Sequence, residues 1–283
     1  MATVLILCVH YPVASGRYVV DALRRLGHTV YTDGPQAGGA MWGLHFPDRF
    51  HWTPEPAPRD EILDLVLVMD SDPHVLDLSA DYYGRAPIAV YGVDSHVRNY
   101  RRPWFKRYFL GHLHPTIMPW LPDMEHLPCG YDPALFTPSP IAWSDRKYDV
   151  AVLGVMYPQR MQAVQDLQAA GFKVAWGCGL IGADYRDAHH NSRVALCLPV
   201  KGDVAQRVFE GAAMDCLVAT PWLRDFSAIK PRGLFIINPR DQLADQIAEA
   251  LTYGTRTHEA REWVQRFTWD KHAAHILEVM NVG

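Results

Sequence analysis

The densest chemistry in this 283-residue chain lies in Arg207-Val208-Phe209-Glu210-Gly211-Ala212-Ala213-Met214-Asp215, followed at once by the apolar run Cys216 to Ala219. On a helix, Arg207 and Glu210 are three apart and share one face, with Met214 a further turn along. A guanidinium that binds anions beside a carboxylate that accepts hydrogen bonds can hold a phosphate and a ribose diol of one nucleotide. The same spacing also makes an ordinary ion pair on a helix surface.

Other segments carry chemistry of their own. Gly177-Cys178-Gly179-Leu180-Ile181-Gly182 is a literal G-x-G-x-x-G after an apolar run, with Asp203 about twenty residues on, as a dinucleotide fingerprint asks. That opens an NAD-dependent oxidoreductase; alternatively the glycines let the backbone turn tightly at a ligand crevice. Tyr11-Pro12-Val13-Ala14-Ser15-Gly16 joins the first apolar run to a helix, and Gly16 would allow an acceptor or a donor phosphate to approach closely. His10 ends that run, either as a catalytic imidazole or as a satisfied core histidine. Asp94-Ser95-His96 follows the run Ile88 to Tyr91. A carboxylate beside an imidazole can take the proton that a hydroxyl nucleophile loses, although Asp94 or Ser95 could instead cap a helix. His189-His190, beside Asp187, suggest metal ligation, but adjacent histidines diverge on a helix, and a solvated face accounts for them better. Arg98-Asn99-Tyr100-Arg101-Arg102-Pro103-Trp104-Phe105-Lys106-Arg107-Tyr108-Phe109 interleaves cations with aromatic rings. Such a segment suits a polyanion with exposed bases, Arg98, Arg101, Arg102, Trp104, Lys106 and Arg107 being the candidate contacts. The alternative is an amphipathic helix with its rings in the core.

The elements that must position these groups follow from composition and pattern. With 49% hydrophobic and 20% charged residues, the chain has a sizeable core, which excludes disorder, collagen-like repetition and a disulfide scaffold. Lys+Arg 27 against Asp+Glu 31 gives a net charge of -4, so any nucleic-acid partner must be held by a local patch. Five scattered cysteines without a C-x-x-C pair read as a reduced, cytoplasmic protein without a Cys-based zinc site. The run Val4 to Val9 reads as a buried strand rather than a signal peptide or membrane span. Short apolar runs alternating with amphipathic stretches predict an α/β architecture of parallel strands covered by helices. Strands are expected at Val4 to Val9, Thr29 to Tyr31, Leu65 to Met69 and Ile88 to Tyr91, with a helix from Ser15 to Leu26 ending at Gly27. A second series starts at Tyr148, with a helix near Gln159 to Ala170 and strands at Lys173 to Trp176, Val194 to Leu198, Leu217 to Ala219 and Leu234 to Ile236. Asp132-Pro133 and Thr137-Pro138-Ser139-Pro140 read as a linker. The expected domains are 1–143 and 144–283, the last helix being a candidate to pack back on the first domain.

One resemblance ties these segments together. Leu127-Pro128-Cys129-Gly130-Tyr131-Asp132-Pro133-Ala134-Leu135-Phe136, Tyr148-Asp149-Val150 through Gly154 to Arg160, Arg193-Val194-Ala195-Leu196 and Arg207-Val208-Phe209-Glu210 are similar, in order, to motifs of the CgeB-like glycosyltransferases. These are relatives of the group 1 transferases with the GT-B fold, and the similarity covers roughly residues 86 to 280. It implies two Rossmann-like domains facing a cleft, a nucleotide-sugar co-substrate, most simply a UDP-sugar, held by the second domain, and no obligatory metal or other cofactor. By the same resemblance, Glu210 accepts from the donor ribose, Arg207 contacts the pyrophosphate, Gly154 forms the tight loop by the phosphates, and Arg160 is a second phosphate ligand; Gly179 and Gly16, read from their own loops, are added as donor-binding candidates. The expected acceptor is a hydroxyl: the basic and aromatic segment suits a hydroxymethylated base in DNA, and a glycan or small metabolite is the alternative. A catalytically silent nucleotide-sugar-binding protein is the reading outside enzymes. Two departures stand out: Gly202 where relatives often carry another Glu, and Asp215 where they usually carry Gly, which points to an unusual donor-sugar pocket.

Overall fold

The computed structural model describes residues 1–11, 14–36, 52–69, 72–93, 99–113 and 123–283. These divide into two compact units, Met1–Cys129 together with Trp269–Gly283, and Gly130–Thr268. The first contains β1 (Thr3–Leu7), α1 (Ser15–Arg25), β2 (Thr29–Asp33), β3 (Leu65–Val68), α2 (Pro73–Leu78), β4 (Ile88–Gly92), β5 (Phe105–Leu110) and β6 (Met124–His126). The second contains β7 (Tyr148–Leu153), α3 (Pro158–Ala169), β8 (Val174–Gly177), α4 (Ala183–His190), β9 (Ser192–Leu196), α5 (Gln206–Ala213), β10 (Leu217–Pro221), α6 (Phe226–Ile229), β11 (Phe235–Ile237), α7 (Leu243–Ala250) and α8 (Thr257–Val264). The last helix, α9 (Trp269–Val279), belongs to the first unit.

Both sheets are parallel in every described pairing, in the orders β2-β1-β3-β4-β5-β6 and β11-β10-β9-β7-β8. Strands of a parallel sheet are covered on both faces, which is why they read as unbroken apolar runs. β3 is buried at all four positions and β4 at all five. Leu5, Leu7, Val66, Val68, Ile88, Val90 and Leu110 form the core of the first unit. Val150, Val152, Val194, Leu196, Leu217, Ala219 and Ile247 form that of the second. α1 closes with Arg24 and Arg25 in its last turn, where cations complement the helix dipole, and Gly27 follows in the left-handed region at φ 85°. Arg25 then donates to Asp270 at 2.6 Å, tying α9 to α1.

Three expectations change. Residues 130–143 pack with the second unit rather than the first: the Tyr131 N–H donates to the Phe267 carbonyl at 3.0 Å, and the Ser139 hydroxyl to that of His190 at 3.0 Å. The basic and aromatic run is not a helix, because Phe105–Leu110 is a strand between β4 and β6. Pro103 blocks helical bonding ahead of it, and rings that fill a sheet face favour the strand. Gly16, expected to open the backbone to a ligand, is buried, and its missing side chain makes room for the core. A Cβ there would lie 2.9 Å from both Cβ and Sγ of Cys8 and 3.5 Å from Met69 Cβ.

Gly16→Ala should therefore overpack the junction of β1 and α1 and cost about 1–3 kcal/mol of stability. A lower urea midpoint is the expected reading, and an unchanged one would mean that Cys8 yields freely.

Candidate functional site

In the second unit the chain lays β8 on one side of β7 and β9 on the other, the 2-1-3-4-5 order of a doubly wound sheet. Ligands of such sheets sit beyond the carboxyl ends of the strands where the winding reverses, here between β7 and β9. Arg160, in the first turn of α3, is buried there. Its Nη1 donates to the Val155 carbonyl at 2.7 Å, and its Nε and Nη2 to the Leu198 carbonyl at 3.2 and 2.9 Å. The residue expected to hold phosphate thus ties the loop after β7 to the loop after β9. Burial, with the like charge of Arg207 second, lowers its pKa to about 10, so it stays protonated at neutral pH.

Arg207 behaves differently. Among the described residues its half-buried guanidinium makes no hydrogen bond or ion pair. It lies over the turn at Gly154, which has φ 103° and where a Cβ would come within 2.6 Å of Arg207 Nη1. A side chain there would have to push the guanidinium away, so this glycine is required both by its backbone and by its neighbour. The nearby Cys197 thiol is pushed up to about 11 by burial, against the pull of Arg207 and Arg160, and so stays protonated.

Glu210 is buried, and it does not pair with Arg207 as an ordinary surface ion pair would. Its Oε2 accepts from the Tyr185 hydroxyl at 2.6 Å and its Oε1 from Gln206 Nε2 at 2.6 Å. Burial raises its pKa, while the bonds from Tyr185 and Gln206 and the charge of Arg207 act the other way. Gln206 was legible in principle, being four residues before Glu210 on one helix. Tyr185 comes from α4, and nothing in the sequence pairs it with Glu210.

Gly177, Gly179 and Gly182 all have positive φ and turn the chain from β8 into α4. They follow the edge strand of the sheet, whereas a dinucleotide loop follows the central first strand, so the NAD reading loses its structural context. The solvated helix face expected for His189 and His190 is also overturned, since both are buried. His189 Nδ1 donates to the Tyr185 carbonyl at 3.1 Å and His190 Nε2 to that of Thr137 at 2.8 Å. Asp215 needs correction too. It occupies the left-handed region at φ 58° just past α5, a conformation that glycine adopts more readily. Its carboxylate accepts from Arg261 Nη1 at 3.0 Å and its carbonyl from Arg146 at 2.8 Å, at the amino end of β10 and away from the crevice. This departure ends a helix; it does not reshape a sugar pocket.

In the first unit the order reverses between β1 and β3. His10, just past β1, is buried; its ring lies by the Pro35 and Cys8 carbonyls, and among the described residues neither ring nitrogen reaches a hydrogen bond of good geometry. Trp52 lies against it with ring centroids 4.5 Å apart. Burial lowers its pKa, outweighing Asp33 and Glu55, so the imidazole is neutral at pH 7. Asp94, His96 and Arg98 lie outside the described residues. The rest of the basic segment is not gathered at this crevice. Phe105 is in register with Ile88, the first residue of β4, so Arg101, Arg102 and Trp104 precede the amino ends of the strands. Arg102 pairs with Asp77 at 2.9 Å, Arg107 with Glu125 at 3.2 Å, and the Trp104 indole donates to the Ser79 hydroxyl at 2.8 Å. Arg101 and Lys106 are exposed.

Among the described residues no three His, Cys, Asp or Glu side chains gather as a metal site would require, and no helix is long and apolar enough to cross a membrane. No protein family's sequence profile matches the chain, and no curated protein does. Solved structures do match. HepE of Anabaena, in complex with UDP and glucose, aligns over 99% of this chain and 100% of its own with a TM-score of 0.66 at 12% identity. A glycosyltransferase from Rickettsia africae aligns over 99% and 98% with a TM-score of 0.64 at 12% identity. An α-glucosyltransferase in complex with UDP and a 13-mer DNA containing an HMU base aligns over 99% and 99% with a TM-score of 0.61 at 8% identity. At these identities the likeness establishes the fold, the α/β two-domain Rossmann-like fold of the GT-B glycosyltransferases.

Two outcomes follow. Gly154→Ala should displace the Arg207 guanidinium and weaken the binding of inorganic pyrophosphate about tenfold by calorimetry, the size of a lost hydrogen bond to a charged group; equal affinity would remove Arg207 from the anion site. Burial holds His189 at about 4, below its ordinary 6.5. The unfolded chain therefore takes up a proton that the folded one refuses, and about 3 kcal/mol of stability, complete above pH 6.5, is lost as the pH falls to 4. Denaturation midpoints should show this slope, and His189→Gln should flatten it.

Proposed function

We propose that this protein is a glycosyltransferase, related to the CgeB-like group, that moves a sugar from a UDP-sugar to a hydroxyl acceptor. The observation that carries the reading is a guanidinium without a hydrogen bond or ion pair among the described residues, Arg207, held over the Gly154 turn one helical turn before the buried carboxylate Glu210. As the bond between the sugar and the diphosphate breaks, negative charge gathers on the departing diphosphate, and groups already aimed at it lower the barrier. Arg207 supplies the compensating positive charge, Arg160 keeps the two loops in place, and Glu210 accepts from the ribose hydroxyls. UDP and UDP-glucose bound in structures of the same fold support uridine as the nucleoside.

On the acceptor side we assign His10. A neutral imidazole at the carboxyl end of a strand can receive the proton of an attacking hydroxyl, and the flat face of Trp52 suits a sugar or a base. The described residues favour a glycan or small metabolite over DNA, because Arg102 and Arg107 are already neutralised by carboxylates and the segment lies at the other end of the strands. A structure of this fold holding DNA with an HMU base keeps hydroxymethylated DNA as the second reading.

UDP release from UDP-sugars, with and without acceptors, tests the proposal. Arg207→Ala should depress turnover, and Glu210→Ala should weaken UDP binding about ten- to a hundredfold. His10→Gln should lower turnover far more than donor affinity. A protein that binds no UDP and hydrolyses no UDP-sugar would overturn the reading. Transfer to hydroxymethylated DNA, with affinity falling steeply with salt, would establish the DNA acceptor instead.

A further inference from the structure

The bonds that hold Glu210 say more about how a nucleotide would be recognised. An ionised carboxylate has about four lone-pair positions, two on each oxygen. Here one on each oxygen is filled, Oε2 by the Tyr185 hydroxyl and Oε1 by Gln206 Nε2, both at 2.6 Å. What remains is one acceptor position on each oxygen. A vicinal diol presents one O–H to each, which neither a single hydroxyl nor an anion can match.

We propose that Tyr185 is a positioning residue that fixes Glu210 as a receptor for the cis-diol of a ribonucleotide and so sets the preference for ribose over deoxyribose in the donor. The inference rests on the reading of Glu210 as the ribose ligand. Tyr185 suits this duty because its ring is itself held, edge-on to Phe136 at 5.9 Å between centroids and against His189 at 4.5 Å. Its hydroxyl therefore meets the carboxylate from a fixed direction. Without that bond a buried carboxylate would both rotate and protonate more readily, and each change costs diol binding. The titratable and charged groups around Glu210 are Arg207 on its own helix, Tyr185 and His189 on α4, Cys197 after β9, and Arg160 from α3 beyond Arg207. Of these, Tyr185 donates to Glu210 directly.

The test compares UDP with 2′-deoxy-UDP by calorimetry for the wild-type chain, Tyr185→Phe and Gln206→Leu. Tyr185→Phe keeps the ring and its packing. The wild type should prefer UDP by about tenfold, and Tyr185→Phe should lose most of that preference by weakening UDP far more than the deoxy form. The acid limb of UDP binding should also move to higher pH in Tyr185→Phe, because the hydroxyl that favours the charged carboxylate has gone. Gln206→Leu should lose preference similarly and serves if the tyrosine variant does not fold. Equal weakening of both nucleotides, or a preference unchanged in both variants, would overturn the positioning role while leaving Glu210 as ribose ligand. A wild type that binds both nucleotides alike would overturn the ribose assignment itself. No UDP binding at all would overturn the transferase reading, and this inference with it.

Discussion

A guanidinium taken out of water must find acceptors, and Arg160 finds them in the backbone of two loops. Its bonds to Val155 and Leu198 join the turn after β7 to the turn after β9, across the point where the winding of the sheet reverses. A cation fixed there makes the neighbourhood positive. Arg207, next to it, has no carboxylate partner among the described residues. Two like charges side by side are unfavourable without a compensating anion. Gly154 allows the arrangement by leaving the guanidinium room.

Most of this fold can be read from the sequence, because parallel strands buried on both faces leave unbroken apolar runs. Val4 to Val9, Leu65 to Met69 and Tyr148 to Gly154 announce themselves, and Gly27 marks the end of α1. β5 and β6 do not. Phe105–Leu110 carries Lys106 and Arg107 among its rings, and the periodicity suits a helix as well as a strand. Met124–His126 is three residues at a sheet edge, with too little apolar pattern to register.

The site was legible where residues of one helix act together and illegible where the fold joins distant ones. Arg207 and Glu210 stand out by type and spacing, but their division of labour does not: spacing suggests a pair, and the structure turns Glu210 toward Tyr185 and Gln206 instead. Arg160 looks like a ligand in the sequence and proves to be a tie between loops, since only the fold shows two carbonyls waiting for it. His10 stands out as the end of a strand, whereas the Trp52 ring against it comes from a segment with no local signal. The twin histidines misled because adjacency says that they diverge, not that both directions lead into protein.

Asp215 has a different consequence. An aspartate held in a left-handed conformation carries a backbone cost that glycine avoids, and here its carboxylate is met by Arg261 from α8. A chain with glycine at 215 has no carboxylate to satisfy and no need of arginine at 261. Among chains of this fold that share the helix end, the two positions should therefore change together, as a linked pair recording how this helix came to end without glycine.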